Sequence, residues 1–321
     1  MGAHGRRPSS RRGGVPRAPR AMKVVLVTGP SGFIGTALVP RLVAAGYTPR
    51  LLVRRAPAQA PPAVEVVIGD VADPRELTAA AAGAEAIVHL AAATSSGRLD
   101  PAIAYRVNVG AASALVAASR ASGARVVVVS TQHVYLPQPG LYGRTKRMAD
   151  RLLLDSGIPV TVLRPSLVYG AGTRGVFVKL ADLVRRLPVV PVVGPGTWRL
   201  RPVFLDDLVS VIVEVLGRPE LAGRIYDVGG PESVTFNAFV GAIAQAAGRR
   251  VRTVHLPLRM AFGLAWIMER VLPSPPLTTD NVRGAVTDAR CDPRPLERDC
   301  RAPRTALAAG LSRALSPARN G

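Results

Sequence analysis

The chain has 321 residues, of which 48% are hydrophobic and 20% charged, and its 42 lysines and arginines outnumber 21 acids for a formal charge of +21. That length holds one large domain or two lobes around a shared core. Its apolar runs break well short of the ~20 residues a bilayer span requires, so no integral membrane segment is expected. Two cysteines, Cys291 and Cys300, are too few for a disulfide framework or a four-cysteine zinc site. No metal and a reducing, cytoplasmic setting are the expectation.

A charge of +21 raises nucleic acid as a partner, but its make-up argues against one. Lysine occurs only at Lys23, Lys146 and Lys179 and every other cation is arginine, among abundant Ala, Gly, Pro and Val, the pattern of a GC-rich coding sequence. No basic stretch is interleaved with the aromatic residues that base stacking uses. A small-molecule substrate and a monomer or homodimer are expected instead.

In chain order, residues 1–21 carry six arginines and no acid among Gly, Pro and Ser, and read as a disordered basic arm. Arg6-Arg7 resembles a twin-arginine export signal only superficially, because no apolar stretch follows it. From Lys23 the text KVVLVTGPSGFIG reads as strand, glycine turn and helix, the helix over 33–45. Gly29, Gly32 and Gly35 have the spacing that lets a chain turn tightly, brings backbone N–H groups against a pyrophosphate and packs helix closely on strand. Strands follow at 50–53, 64–69, 86–90, 125–129 and 159–163, with a long Ala-rich helix over 102–119. Continuous Val/Ile/Leu strands alternating with helices predict a doubly wound parallel α/β sheet buried on both faces. Its ligand belongs at the carboxyl ends of the strands.

The second strand runs into Arg54, 19 positions after Gly35, where an acid would bind the ribose of NAD. A guanidinium there holds a 2′-phosphate, so NADP(H) is expected over NAD(H), unless Arg54 is only a solvated surface residue. Asp70, past the third strand, is placed to accept from the adenine amino group or to cap the turn before Asp73-Pro74. Further on, Tyr142 and Lys146 are four apart and share one face of a starting helix. An ammonium beside a phenol favours the phenolate, which brings a group of ordinary pKa about 10 toward acid and base work. Thr131, at the end of the fifth strand, is placed to bond the same substrate oxygen.

These residues and their order resemble the short-chain dehydrogenase/reductase superfamily, specifically its extended and atypical NAD(P)-dependent epimerase/dehydratase branch. The matching text is TGPSGFIG at 28–35, GDVAD at 69–73, HLAA at 89–92, VNVG around Asn108, STQHVY at 130–135, YGRTK at 142–146, LRPSLVYGAG at 163–172, RPVFLDDL at 201–208 and YDVGGPE at 226–232. The resemblance implies a Rossmann domain over 22–171, completed by about 201–229, and catalytic Thr131, Tyr142 and Lys146. It implies cofactor contacts from Gly29, Ser31, Gly32, Phe33, Ile34 and Gly35, from Arg54, Asp70 and Val71, from the Leu90, Ala91 and Ala92 backbone, and from Asn108, Tyr142 and Lys146. A smaller α/β substrate lobe over 172–200 and 230–311 is implied as well, with 312–321 a tail. Nucleotide sugars are among the substrates implied.

The 11 positions from Thr131 to Tyr142 are fewer than nucleotide-sugar enzymes use. The short proline-rich loop resembles the atypical members, some of which are non-catalytic NADP(H)-binding sensors or assembly factors. In the second lobe, Arg199 and Arg201 are candidates for an anionic substrate group such as a diphosphate, or are solvated surface. His89 and His255 read as structural. Residues 206–216 read as a helix returning to the sheet. The apolar stretch 256–272, broken by Arg259 and Glu269, reads as an amphipathic helix facing the core, with a membrane or partner contact as the other reading.

Overall fold

The computed structural model describes residues 23–57, 62–94, 99–172, 176–272, 275, 277–284, 287, 288, 290–301 and 304–316. The expected basic arm at 1–21 and residues 317–321 of the expected tail lie outside the described residues.

The first half alternates strand and helix: β1 Lys23–Thr28, α1 Phe33–Ala44, β2 Tyr47–Val53, β3 Glu65–Ile68, α2 Pro74–Ala81, β4 Ala86–His89, α3 Pro101–Ala104, a π-helical turn Tyr105–Gly110, α4 Ala111–Ser122, β5 Arg125–Val129, α5 Leu141–Asp155 and β6 Val160–Pro165. Local chemistry sets several boundaries. Asp73 caps α2 by accepting from the N–H groups of Arg75 and Glu76, with Pro74 in the first turn, and Asp100 caps α3 at Ile103 N–H. Gly123, at φ 74°, ends α4. The single helix expected over 102–119 is thus longer, from Pro101 to Ser122, and interrupted by the π turn. That run is long and apolar enough to cross a membrane, yet half of it is buried within the molecule, as a helix covering a sheet must be. Strand β2 starts three residues before the expected position and takes in Pro49, whose missing N–H is tolerated because β3 pairs with β2 only from Arg50 onward.

The second half contributes β7 Val168–Tyr169, α6 Val176–Arg186, β8 Val189–Val193, β9 Arg199–Leu200, β10 Val203–Phe204, α7 Leu205–Leu216, β11 Ile225–Val228, β12 Val234–Thr235, α8 Phe236–Ala246, β13 Arg252–Leu256, α9 Leu258–Val271, α10 Thr279–Gly284, α11 Arg294–Asp299 and α12 Leu307–Leu315. Seven strands form one parallel sheet in the order β11-β6-β5-β4-β1-β2-β3, the doubly wound Rossmann arrangement. The strand order reverses between β1 and β4, the position at which doubly wound sheets take their ligands.

Alternate side chains of each strand serve opposite faces. Val25 and Val27 join α1 and α7 in one core, whereas Leu26, Val126 and Val128 join α2, α4 and α5 in the other. A separate core around Tyr169, Phe177, Phe204, Phe239 and Leu311 holds α6, α8 and α12 together. The tail expected from 312 therefore begins later, because Leu315 is buried in this cluster and Arg313 bonds Asp206. Within the expected 230–311 substrate segment, α11 turns back instead to the main sheet, where Leu296 and Cys300 join its core.

Helix α9 corrects the core-facing expectation for 256–272. Only Ala261 and Ala265 are buried, against Val282 and its neighbours. The helix is apolar on most sides, and its small satellite core covers one of them.

Phe239 is fully buried among Tyr169 and Phe177. Replacing it with alanine removes a ring from a closed core, and Phe239→Ala is expected to cost about 3–5 kcal/mol in urea unfolding.

Candidate active site

The candidate site is built where β1 meets β4. Thr28, the last residue of β1, pairs through Oγ1 with His89 Nδ1 at 2.8 Å, and Leu90 N–H donates to Thr28 O at 3.1 Å. The chain then turns at Gly29, φ 68°, where a Cβ would stand 2.7 Å from Ala91 N. At Gly35, a Cβ would lie 2.5 Å from the carbonyl oxygens of both Gly29 and Pro30. A side chain at Gly29 would force the turn away from the 90–92 loop, and one at Gly35 would force the first turn of α1 away from the glycine turn itself.

Gly32 N–H closes the turn onto Gly29 O at 3.1 Å, and Gly32 then leads into α1 with no side-chain cap and no acid in the first turn. Backbone N–H groups beside Ser31, Phe33 and Ile34 thus open an uncapped helix start. Exposed Arg54 follows β2 directly. These features fit a dinucleotide: a cradle that any Cβ would fill, an uncapped helix start for a pyrophosphate, and a cation at the ribose end.

Asp70 sits near Arg54, but its carboxylate already has partners. Oδ1 accepts Ala72 N–H at 2.9 Å and Oδ2 accepts Arg106 Nη2 at 2.6 Å. The Ala72 N–H holds it below its ordinary pKa, against burial, with the Arg106 guanidinium adding to the lowering. Each oxygen retains a second lone pair toward the rim of the site, where Val71 also lies half-buried.

Asn108, expected as a cofactor contact, is a brace. Its Oδ1 accepts Ala93 N–H at 2.9 Å, and its Nδ2 donates to Ala93 O at 3.1 Å and to Thr145 Oγ1 at 2.9 Å. The π turn widens the helix at this residue, and the buried amide ties the loop after β4 to α5. Sequence patterning has no period that reveals a π turn, so the role was illegible before the fold was known.

Helix α5 presents Tyr142 and Lys146, and Thr131 follows β5. The Tyr142 and Thr131 side chains meet, while Lys146, one turn along α5, points its ammonium at the end of β5. Burial pushes the Tyr142 phenol up to about 12, with the Thr131 hydroxyl bond pulling it partly back. Lys146 does not favour the phenolate here: its buried Nζ donates to Val129 O at 3.1 Å, and burial lowers its own pKa while Asp150 resists. Desolvation thus raises the phenol further above neutral pH, and Tyr142 keeps its proton.

Sequence reading missed the network that holds α5 in place. Asp150 accepts Arg164 Nε from β6 at 3.0 Å, Arg164 Nη1 donates to Tyr135 Oη at 2.9 Å, and Tyr135 donates to Asp227 of β11 at 2.9 Å. The Arg164 guanidinium also lies 4.9 Å from the centroid of the Tyr135 ring. The members are 92 positions apart at the extremes, and only the strand order brings them together. Beside Thr131, Ser130 Oγ is buried with no partner among the described residues. The neighbouring Gln132 amide meets Cys291, whose thiol burial pushes up to about 11.

Arg199 and Arg201 stand apart from this cluster in their bonding. Arg199 donates to Ser233 O at 2.8 Å and Ser233 Oγ at 3.2 Å, and Arg201 donates to Pro231 O at 3.1 Å. Both guanidinium groups brace the 230–233 turn. His255 is exposed and meets Asn237 Oδ1 at 3.2 Å. Among the described residues no group of His, Cys, Asp or Glu is arranged to hold a metal ion.

Burial and the Lys146 charge depress His89 from 6.5 to about 3. A group whose folded pKa is lowered stabilises fully above its unfolded value and loses that stability as pH falls through 6.5 toward 3. Between pH 7 and pH 5 wild type is expected to lose about 2 kcal/mol through this residue. His89→Gln should flatten that part of the urea-stability profile.

Comparison with known proteins matches residues 25–229 to the model of the NAD dependent epimerase/dehydratase family. The ceramide reductase of Caulobacter vibrioides is 33% identical over 251 residues, covering 75% of each chain. The 3 beta-hydroxysteroid dehydrogenase/Delta 5-->4-isomerase of Mycobacterium tuberculosis is 29% identical over 259 residues, 70% of each chain. Among solved structures, MoeE5 in complex with UDP-glucuronic acid and NAD superposes with a TM-score of 0.71 at 25% identity, over 91% of this chain and 97% of that one.

Proposed function

Since the chain belongs to the NAD dependent epimerase/dehydratase family, we propose that it is a nicotinamide-dependent reductase of a carbonyl group on an apolar, lipid-like substrate, with NADP(H) preferred over NAD(H). One observation carries the chemistry: a half-buried, protonated Tyr142 bonded to Thr131 at the carboxyl ends of the central strands. The apolar substrate class is supported by relatives whose names specify ceramide and hydroxysteroid chemistry.

Residues Gly29, Ser31, Gly32, Phe33, Ile34 and Gly35 would hold the pyrophosphate. Arg54 would hold the 2′-phosphate, with Asp70 and Val71 at the adenine and the Leu90–Ala92 backbone along the dinucleotide. When bound, the nicotinamide supplies hydride to the carbonyl carbon. Tyr142 donates its phenolic proton to the substrate oxygen, and Thr131 orients that oxygen through its hydroxyl. A phenol at about 12 remains a competent acid throughout neutral and mildly alkaline pH. Lys146 would reach the ribose with the donors that its bond to Val129 O leaves. Asn108 acts as a positioning residue, through Thr145.

A nucleotide-sugar substrate is the second reading, favoured by the MoeE5 complex. It would draw on the remaining donors of Arg199 and Arg201, both already committed to backbone carbonyls.

Tyr142→Phe is expected to lower kcat by about 10²–10⁴-fold while NADPH binding persists. The wild-type reduction rate should show no loss from tyrosine ionisation between pH 7 and pH 10, since deprotonation of this acid is half complete only at about 12. Equal rates for wild type and Tyr142→Phe across long-chain ketone and nucleotide-sugar panels would instead identify a non-catalytic NADP(H)-binding protein.

Arg54→Ala is expected to weaken NADPH by about tenfold or more and leave NADH nearly unchanged in fluorescence titrations. An NADPH preference that survives this change places the 2′-phosphate elsewhere.

A further inference from the structure

Seven of the sixteen exposed large apolar side chains among the described residues fall within 258–272, on and just beyond α9. Met260, Leu264, Ile267 and Val271 are 63%, 41%, 53% and 71% exposed. They recur at i, i+4, i+7 and i+11, so they form one continuous stripe along the outer side of the helix. Trp266, 52% exposed, borders the stripe. The Arg270 guanidinium lies 3.4 Å from the centroid of its ring, and Arg259 is on the same border. Scattered single apolar residues are ordinary on a protein surface, but a contiguous stripe with a tryptophan edge marks a contact site.

Charge selects the occupant. Residues 249–283 contain six arginines against two acids. All six arginines, at 249, 250, 252, 259, 270 and 283, are exposed. Glu269, the acid of α9, is turned inward and accepts from Thr279 N at 2.9 Å. A second copy would bring the same arginines against these, with no acid on the stripe to receive them. Lipid phosphates receive them, while the stripe enters the acyl boundary and Trp266 sits at the headgroup level. The 14 residues of α9 span about 21 Å, too short to cross a bilayer and suited to lying in its plane.

We propose that α9 is an interfacial helix that docks the protein on an anionic lipid surface, with Met260, Leu264, Ile267 and Val271 inserted and Arg259 and Arg270 on the headgroups. The proposal stands independently of the catalytic reading, because docking needs neither substrate nor turnover.

The test is co-sedimentation of the full chain with vesicles of phosphatidylcholine alone and of phosphatidylcholine with roughly a third phosphatidylglycerol. Wild type is expected to bind the anionic vesicles, less so as salt rises. Ile267→Glu with Val271→Glu should reduce binding at least about tenfold. Both positions are exposed, so thermal unfolding should be unchanged. Should the pair lower Tm, Val271→Glu alone, at the most exposed position, provides the comparison. Three outcomes overturn the proposal: no binding to anionic vesicles, binding that survives the substitutions and so arises from basic segments elsewhere, or a concentration-dependent dimer in sedimentation velocity that the same substitutions dissociate.

Discussion

At the seam between β1 and β4, the backbones of Gly29 and Ala91 approach so closely that no side chain fits between them. The rest of the molecule is arranged around that approach. Parallel strands require helical crossovers, and the strand order reverses at this seam, so crossovers leave on opposite faces at the position where doubly wound sheets take their ligands. The Thr28–His89 pair and the Leu90 to Thr28 hydrogen bond hold the two strand ends together from within. Because His89 is buried beside Lys146, it is held neutral, and the seam carries no second cation next to the lysine.

Helix α5, which carries Tyr142 and Lys146, depends on this frame at two points. Asn108 bridges the loop after β4 to Thr145, and Arg164 bridges β6 to Asp150. Tyr142 therefore meets Thr131 on a helix anchored on both sides, and a phenol so placed is desolvated as well as oriented. Desolvation widens the pH range over which it keeps its proton: the phenol is raised and the lysine of the same helix lowered. A site that keeps its tyrosine protonated is suited to giving a proton, the direction that carbonyl reduction needs.

The charge of +21 divides by location. Part lies in the 1–21 segment, outside the described residues. Arg164 is held by the Asp150 and Tyr135 side chains, Arg199 and Arg201 bond backbone carbonyls of the 230–233 turn, and Arg54 is exposed at the end of β2. The remaining concentration, around α9, coincides with the largest run of exposed apolar side chains. Basic composition that carries no nucleic-acid signature thereby acquires a structural context in which cations border an apolar stripe.

The doubly wound sheet, the glycine turn and the Thr131, Tyr142 and Lys146 set were legible in the sequence, because each is a local pattern. Aliphatic runs make buried parallel strands, fixed glycine spacing makes a close turn, and a four-residue interval puts two side chains on one helical face. The role of Asn108 and the line of bonds from Asp150 through Arg164 and Tyr135 to Asp227 were not, since a π turn has no sequence period and the line joins α5, β6, β11 and the turn after β5. The sign of the Tyr142 shift also escaped local reading, because spacing reveals a neighbouring cation but not how much water folding removes. Helix α9 makes the same point: its apolar composition was plain from the residues, but which side faces solvent depended on how small its packing partner is, and only tertiary packing determines that.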